Sequence, residues 1–468
     1  MKSLGYSGCV FGICMAAAIL AGCGASIATV PSASQPDEAA HFSSRVPTLP
    51  LSRSHYAETV LFNFRGSTGA NPETGLVLDE NGALYGTTSG GGHADGNVFK
   101  LTPAGSGYTE SFLYGFRGSR GAGPTGVILG KDGALYGTTV GGGRYNEGTA
   151  FKLTPSSSGY TVSVMHSFCA RRKCADGAAP SGGLVFGKDG ALYGTTGIGG
   201  NACLSEGGCG TVFKLTPSGS GYTEKVLYTF CQSTCAFSNP TSSLVFGADG
   251  ALYGSTDDDC QLMGRCGTVY KLTPSGSGYS ASALYTFECG TNAPINHRVK
   301  GPSEKPSRDN SGAECVGAFP SGVILDKTGA LYGTTFEGGQ YARRYQPGPG
   351  TVFKLTPSGS GYTQSFLHSF TGGKDGGTPE GGVILGKGGV LYGTTGGGGK
   401  ACGGVPGCHD GTVFELTPSG SGYAERIIHQ FDGRNGANPA AGLISDTTGA
   451  LYSTTLDGGP IVKARCSS

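Results

Sequence analysis

Gly183-Leu-Val-Phe-Gly-Lys-Asp-Gly-Ala-Leu-Tyr-Gly-Thr-Thr196 is the stretch whose reading decides the fold. It opens on a short apolar run, turns at Asp189-Gly190 and resumes as Ala-Leu-Tyr-Gly-Thr-Thr, the pattern of two short strands joined by a tight hairpin. Copies or near copies of the second half place tyrosines at Tyr85, Tyr136, Tyr193, Tyr253, Tyr332, Tyr392 and Tyr452, spaced by 51, 57, 60, 79, 60 and 60 residues. A period of that length marks a solenoid or a propeller.

Two further segments complete each repeat. The run before the turn, as in Gly75-Leu-Val-Leu78, Gly126-Val-Ile-Leu129 and Gly382-Val-Ile-Leu385, reads as a strand buried on both faces. After the tyrosine strand comes Thr211-Val-Phe-Lys-Leu-Thr216, echoed around Phe99, Phe151, Tyr270, Phe353 and Phe414. A Pro-Ser-Gly-Ser-Gly turn then leads to a fourth segment, Tyr222 to Phe230. Its alternation sets Tyr222, Val226, Tyr228 and Phe230 on one face against Thr223, Lys225 and Thr229 on the other. Four antiparallel strands, the innermost the most apolar, make a β-propeller blade. The expected fold is therefore all-β, a seven-bladed β-propeller of four-stranded antiparallel blades. A fourth-strand copy, Tyr56–Phe64, precedes any first strand, while the C-terminus stops after Leu451–Thr455 and a degenerate Pro460–Ala464. The ring should thus be closed by that N-terminal strand completing the C-terminal blade.

Composition narrows the address. Gly 89 and Pro 24 in 468 residues serve tight turns, because apolar residues recur in phase with the repeat. A formal net charge of +1 without a basic run excludes a nucleic-acid binder. Lys2 followed by a mostly apolar run from Val10 to Ala21 reads as a secretory signal peptide, residues 1–22. The Ser, Ala, Pro and Thr of 23–54 read as a flexible tether, and 55–468 as the propeller.

Two resemblances follow from these residues. Leu20-Ala21-Gly22-Cys23 resembles the lipobox of bacterial lipoproteins. It implies that Cys23 becomes the lipidated N-terminus of an exported protein, and Gly24 favours the outer membrane or cell surface. Gly-Ala-Leu-Tyr-Gly-Thr-Thr with Gly-Thr-Val-Phe-Lys-Leu-Thr-Pro resembles the GloVer tandem repeat of "choice-of-anchor" bacterial surface proteins, from about Tyr56 to the C-terminus. That family implies an exported, anchored propeller and no settled activity; this chain departs from it in carrying its anchor at the N-terminus. The Asp-x-x-Gly-x-Leu-aromatic turn is more distantly similar to sensor-type periplasmic propellers.

Of the 16 cysteines, Cys9 and Cys14 leave with the signal peptide and Cys466 is left over. Twelve fall into local pairs read as disulfides: Cys169 with Cys174, Cys203 with Cys209, Cys231 with Cys235, Cys260 with Cys266, Cys289 with Cys315, and Cys402 with Cys408. Zinc is the weaker reading, since each loop offers only two sulfurs. All six pairs lie in second-to-third or fourth-to-first connections, which emerge on one face of an up-and-down disk. That face is the variable one, and the bridges shape its loops for recognition or protect them from proteases.

Chemistry is sparse. Residues repeated in every blade, the tyrosines and paired threonines, read as structural, and so do His166, His368 and His429 in equivalent fourth strands. Lys100 with Glu110 and Lys214 with Glu224 read as cross-strand pairs. The longest insertion, between Glu288 and Pro320, carries His297, Arg298, Lys300, Lys305 and Arg308 and is the candidate binding loop. Asp257, Asp258 and Asp259 form a weak calcium candidate without the alternating spacing of known calcium loops. No catalytic residue, cofactor or metal ligand is assigned. The expectation is a monomeric binding module held at the membrane by its N-terminal lipid, with an unknown protein, glycan or envelope polymer as ligand. The alternative is a propeller enzyme of lyase, cyclotransferase or hydrolase type. An enzyme should gather an acid/base set at the channel mouth; a binder should spread rim residues over several blades.

Overall fold

The computed structural model describes residues 23–28, 56–66, 69–91, 95–105, 107–200, 209–230, 238–257, 265–276, 278–290, 314–315, 317–342, 348–359, 361–399 and 410–458. Its described elements are antiparallel strands and three short 3-10 turns. Six blades, which we number I to VI, span 77–115, 122–167, 178–229, 245–290, 318–369 and 383–430. In each, four strands from one contiguous repeat pair in sequence order, with small additions in blades III and IV.

The chain is thus a β-propeller with six such blades, which corrects the expectation of seven. The remaining sheet is composite. Its order is Ile444–Ser445, Leu451–Thr454, Cys23–Ala28 and Glu58–Phe64 reversed from chain order, so both ends of the chain meet there. Among the described residues the last repeat supplies its first two strands. Tyr56–Phe64 was expected to complete a repeat blade directly. Instead Cys23–Ala28 stands between Glu58–Phe64 and Leu451–Thr454 and pairs with both. The expected third strand, Pro460–Ala464, lies outside the described residues.

The repeated residues explain why the sheets stack. A Phe or Tyr in each third strand is fully buried and meets a Phe in, or just after, the last strand of the preceding sheet. The pairs are Phe64–Phe99, Phe116–Phe151, Phe168–Phe213, Phe230–Tyr270, Phe287–Phe353 and Phe370–Phe414, with ring centroids 4.7 to 5.2 Å apart. Burying one such ring stabilises the fold by about 3 kcal/mol. The glycine of Tyr-Gly-Thr-Thr makes room for it: a Cβ at Gly194 would stand 2.5 Å from the Phe213 ring. Between blade VI and the composite sheet the core changes to Val413, Phe431, Leu443 and Leu451. On the far side, Leu61, Phe64 and Tyr452 pack with Leu76 and Phe99 of blade I, which closes the ring.

Polar repeats are local locks. The turn aspartate accepts the tyrosine hydroxyl and the third-strand lysine: Asp132 takes Tyr136 Oη at 2.8 Å and Lys152 Nζ at 2.8 Å. Asp189 and Asp249 take Lys214 at 2.6 Å and Lys271 at 3.0 Å. The lysine–glutamate cross-strand pairing is therefore corrected. Lys214 stands opposite Lys225 and turns to Asp189, whereas the buried Glu224 binds Arg171 at 2.7 Å. The shorter reach to the turn, where the carboxylate already accepts a hydroxyl, wins.

Candidate functional site

Every innermost strand is entered through a proline: Pro72, Pro124, Pro180, Pro240, Pro320, Pro379 and Pro439. Proline lacks an N–H, and this strand has no sheet partner on its channel side, so nothing is lost there. The proline carbonyls instead receive hydroxyls from the preceding sheet. Thr454 Oγ1 donates to Pro72 O at 2.7 Å, Ser181 Oγ to Pro240 O at 2.6 Å, Ser255 Oγ to Pro320 O at 2.8 Å and Ser321 Oγ to Pro379 O at 3.1 Å. These inter-blade bonds hold the strand entry at Pro72, Pro240, Pro320 and Pro379.

The residues after the seven prolines are Glu73, Thr125, Ser181, Thr241, Ser321, Glu380 and Ala440, and all seven line one cavity of about 410 Å³. Because strands alternate in direction, the cavity opens on the face that also carries the second-to-third and fourth-to-first loops. Backbone bridges such as Ala70 to Gly90 and Gly377 to Gly397 join those two loop types directly. Ser89 and Val140, at the ends of second strands, complete the lip.

Among the described residues of the lining two are charged, and both are acids. Burial pushes the Glu73 carboxyl above the ordinary glutamate value, opposed by a 3.2 Å hydrogen bond from Ser89 Oγ. Burial likewise raises Glu380, and the charge of Glu73 raises it further. Among the described residues no Lys, Arg or His joins the lining to offset them. Sequence reading missed this pair. The signal was present: in Asn71-Pro72-Glu73-Thr74-Gly75 and Thr378-Pro379-Glu380-Gly381-Gly382 an acid replaces the Ser, Thr or Ala found after the other prolines. Attention to long loops passed over a one-residue change in a short one.

The other candidates are placed as follows. Cys169 and Cys174 are joined by a disulfide in the connection from blade II to blade III. Cys209 and Cys266 are each disulfide-bonded, while Cys203 and Cys260 lie outside the described residues. Cys289 and Cys315 stand directly opposite one another in a short ladder at the root of the long insertion. Cys231, Cys235, Cys402 and Cys408 lie outside the described residues, as do His297, Arg298, Lys300, Lys305 and Arg308. Asp257 holds its loop through a backbone N–H donated to Asn239 O at 3.0 Å; Asp258 and Asp259 are outside the described residues. Among the described residues no group of three or more His, Cys, Asp or Glu side chains is gathered to hold a metal ion. None is long and apolar enough, as a helix, to cross a membrane.

The fourth-strand histidines sit between neighbouring sheets, away from the channel lining. His166 Nε2 is 2.9 Å from Asp176, His368 Nε2 is 3.6 Å from Asp375 and 3.9 Å from Glu425, and His429 Nε2 is 3.4 Å from Glu58. Each packs edge-on against the following phenylalanine, Phe168, Phe370 or Phe431.

A family model described as the Gloeobacter/Verrucomicrobia repeat matches residues 46–261 and 308–463. No curated protein matches the sequence. Among solved structures the chain is similar to a hypothetical selenium-binding protein from Sulfolobus tokodaii, at 10% identity and a TM-score of 0.45, covering 89% of this chain and 92% of that one. It is also similar to a glucose dehydrogenase, at 15% identity and a TM-score of 0.41, covering 75% and 98%. Likeness at this level carries no argument about activity.

Proposed function

Because the chain belongs to the Gloeobacter/Verrucomicrobia repeat family, we propose that it is an exported bacterial envelope protein whose propeller binds a ligand on the loop-bearing face, at the channel mouth. The observation that carries the binding reading is the state of the mouth's hydroxyls. The O–H groups of Ser181 and Ser321 are engaged as donors to neighbouring carbonyls, and Thr74 is paired with Thr87 at 2.7 Å. Among the described lining residues there is no imidazole, thiol or amine, and the one hydroxyl shown donating to a carboxyl, Ser89 to Glu73 at 3.2 Å, is exposed on the lip. What remains is a cavity rimmed by residues of six blades and the composite sheet, the form a binder takes.

Anchoring belongs to the same proposal. Leu20-Ala21-Gly22-Cys23 supports a lipid on Cys23 at the outer membrane or cell surface. Cys23→Ala should move the mature chain from the membrane to the soluble fraction; a wild-type chain that takes up no labelled lipid removes the anchor from the proposal. For binding, the immobilised mature chain should capture an envelope component from detergent extracts of its own cells. A variant with the mouth filled, Ser181→Phe with Thr241→Phe, should capture none. Equal capture by parent and filled variant places the binding surface elsewhere.

A further inference from the structure

The proposed anchor point and the variable loops lie on one face. Cys23 stands opposite Phe64, and Ala25 opposite Thr454. The strand Cys23–Ala28 therefore starts where fourth strands end, on the face that carries the second-to-third and fourth-to-first loops. Its first residue is already part of the sheet, so no spacer separates a lipid on Cys23 from that face.

Cations gather on the same face along one arc of the ring. Exposed Arg65 follows Phe64 at the entry to blade I, and exposed Arg117 and Arg120 lie between blades I and II. Exposed Arg171, Arg172 and Lys173 lie between blades II and III. Arg171 is paired with Glu224 at 2.7 Å, and the acid of its own connection, Asp176, is buried against His166 and two backbone N–H groups. In the second-to-third loops of blades I to III the described charges are Asp95, Arg144 and Glu147, so cations prevail along the arc. The connections after blades V and VI are balanced instead, with Lys374 and Asp375 in one and Arg434 and Asp432 in the other. On the opposite face Lys131 and Lys188 each precede an aspartate. Apolar side chains stand among the cations of the arc. Val140, Tyr145 and Ile198, at the ends of second strands or in the loop that follows, are 47%, 41% and 36% exposed. Arg144 lies 5.6 Å over the Tyr145 ring. Cations interleaved with aliphatic and tyrosine side chains suit a bilayer interface, where phosphates meet the first and the acyl boundary the second. A soluble anion would use the charge and leave the apolar groups in water.

On the reading that Cys23 carries the anchor, we propose that the loop face lies against a membrane of anionic phospholipid. The arc from Arg65 to Lys173 meets headgroup phosphates, and Val140, Tyr145 and Ile198 enter the interface. The channel mouth then opens toward the bilayer. Such contact orients an anchored chain, which its lipid keeps at high local concentration, and is too weak to retain an unanchored one through cell fractionation. Co-sedimentation tests this with the mature Cys23→Ala chain and vesicles of phosphatidylcholine, alone or mixed with phosphatidylglycerol. At low salt the mixed vesicles should bind at least about tenfold more tightly. Arg117→Gln, Arg120→Gln, Arg172→Gln and Lys173→Gln together should remove that difference while unfolding as cooperatively as the parent, and Lys131→Gln with Lys188→Gln should keep it. The chain has no tryptophan, so Tyr145→Trp supplies a single probe whose emission should shift to the blue on the mixed vesicles. Phe186→Trp, exposed on the opposite face, should not shift. Equal binding of the two vesicle types overturns the proposal, as does discrimination that survives in the fourfold variant or a blue shift from Phe186→Trp alone. Failure of the anchor is read separately, from labelled lipid on the wild-type chain, because these titrations use a chain that has none.

Discussion

At the scale of the residue, Glu73 and Glu380 are informative because they work against the fold. Burial raises both carboxyls, so ionising them costs more in the folded than in the unfolded chain. A carboxyl whose folded value is raised contributes fully to stability below its unfolded value, and loses that contribution as pH rises through the folded one. Glu380→Gln should therefore raise Tm at pH 7, by on the order of 1 °C, and the gain should vanish below about pH 4, where the parent is protonated as well. Melting curves across that range check the sign; a variant less stable than the parent at pH 7 would mean the carboxylate is held by an interaction that favours its charge. Gly194 shows the opposite case. Gly194→Ala should destabilise by about 1–3 kcal/mol, since its Cβ would meet the Phe213 ring at 2.5 Å, and denaturant unfolding measures the loss.

At the scale of the element, the fourth strand was read one residue out of phase over half its length. Strict alternation set Tyr222, Val226, Tyr228 and Phe230 on one face, yet Leu227 and Glu224 are buried, and Val226 and Tyr228 only partly. The ladder explains it: Phe213 pairs with Val226 and Val212 with Tyr228, so Leu227 is an extra residue in a bulge. Bulges at the same place in the other blades aim a side chain into the inter-blade core. The disulfide loop belongs to this scale too. Cys169→Ser with Cys174→Ser opens a ring of sequence separation five and should cost about 2 kcal/mol. The strand content should be unchanged by circular dichroism, because Asp176 still ties the loop through the N–H groups of Ala170 and Arg171 at 3.0 Å each. Loss of strand content would show that the bridge holds the blade and not only its loop.

At the scale of the whole molecule, the seam between blade VI and the composite sheet is the weak point, and the residues there depart from the repeat. Blade VI has Glu415 in place of the third-strand lysine and no turn aspartate. Glu415 accepts Tyr56 Oη at 2.5 Å and Arg426 at 2.8 Å, while Arg426 also lies 4.8 Å over the Tyr56 ring. The lock that joins turn aspartate, tyrosine and lysine in blades II and III has been replaced here by contacts that fasten the N-terminal segment across the seam. Deleting 56–64 should expose a sheet edge and cause aggregation. Glu415→Lys is the milder test and should lower Tm with the chain still monomeric by light scattering. If it leaves Tm unchanged, the seam is held by Phe431, Leu443 and Leu451 alone.

The sequence by itself determined the strand type, the blade unit and the face on which variation collects, because each rests on local rules repeated along the chain. An apolar run, an Asp-Gly turn and an aromatic strand need only their neighbours to fold as a hairpin. Repetition turned a weak signal into a firm one. Ser453 stands where the complete blades have glycine, and its partner strand Cys23–Ala28 brings no ring to make room for. The tertiary structure alone decided the rest. That Cys23–Ala28 stands between the expected N-terminal strand and Leu451–Thr454 depends on pairing between segments more than 400 residues apart. No local rule sets such a pairing. The meeting of Glu73 with Glu380 has the same origin: two ordinary surface-type residues in separate repeats share one cavity only because the ring brings their strand entries to a single mouth.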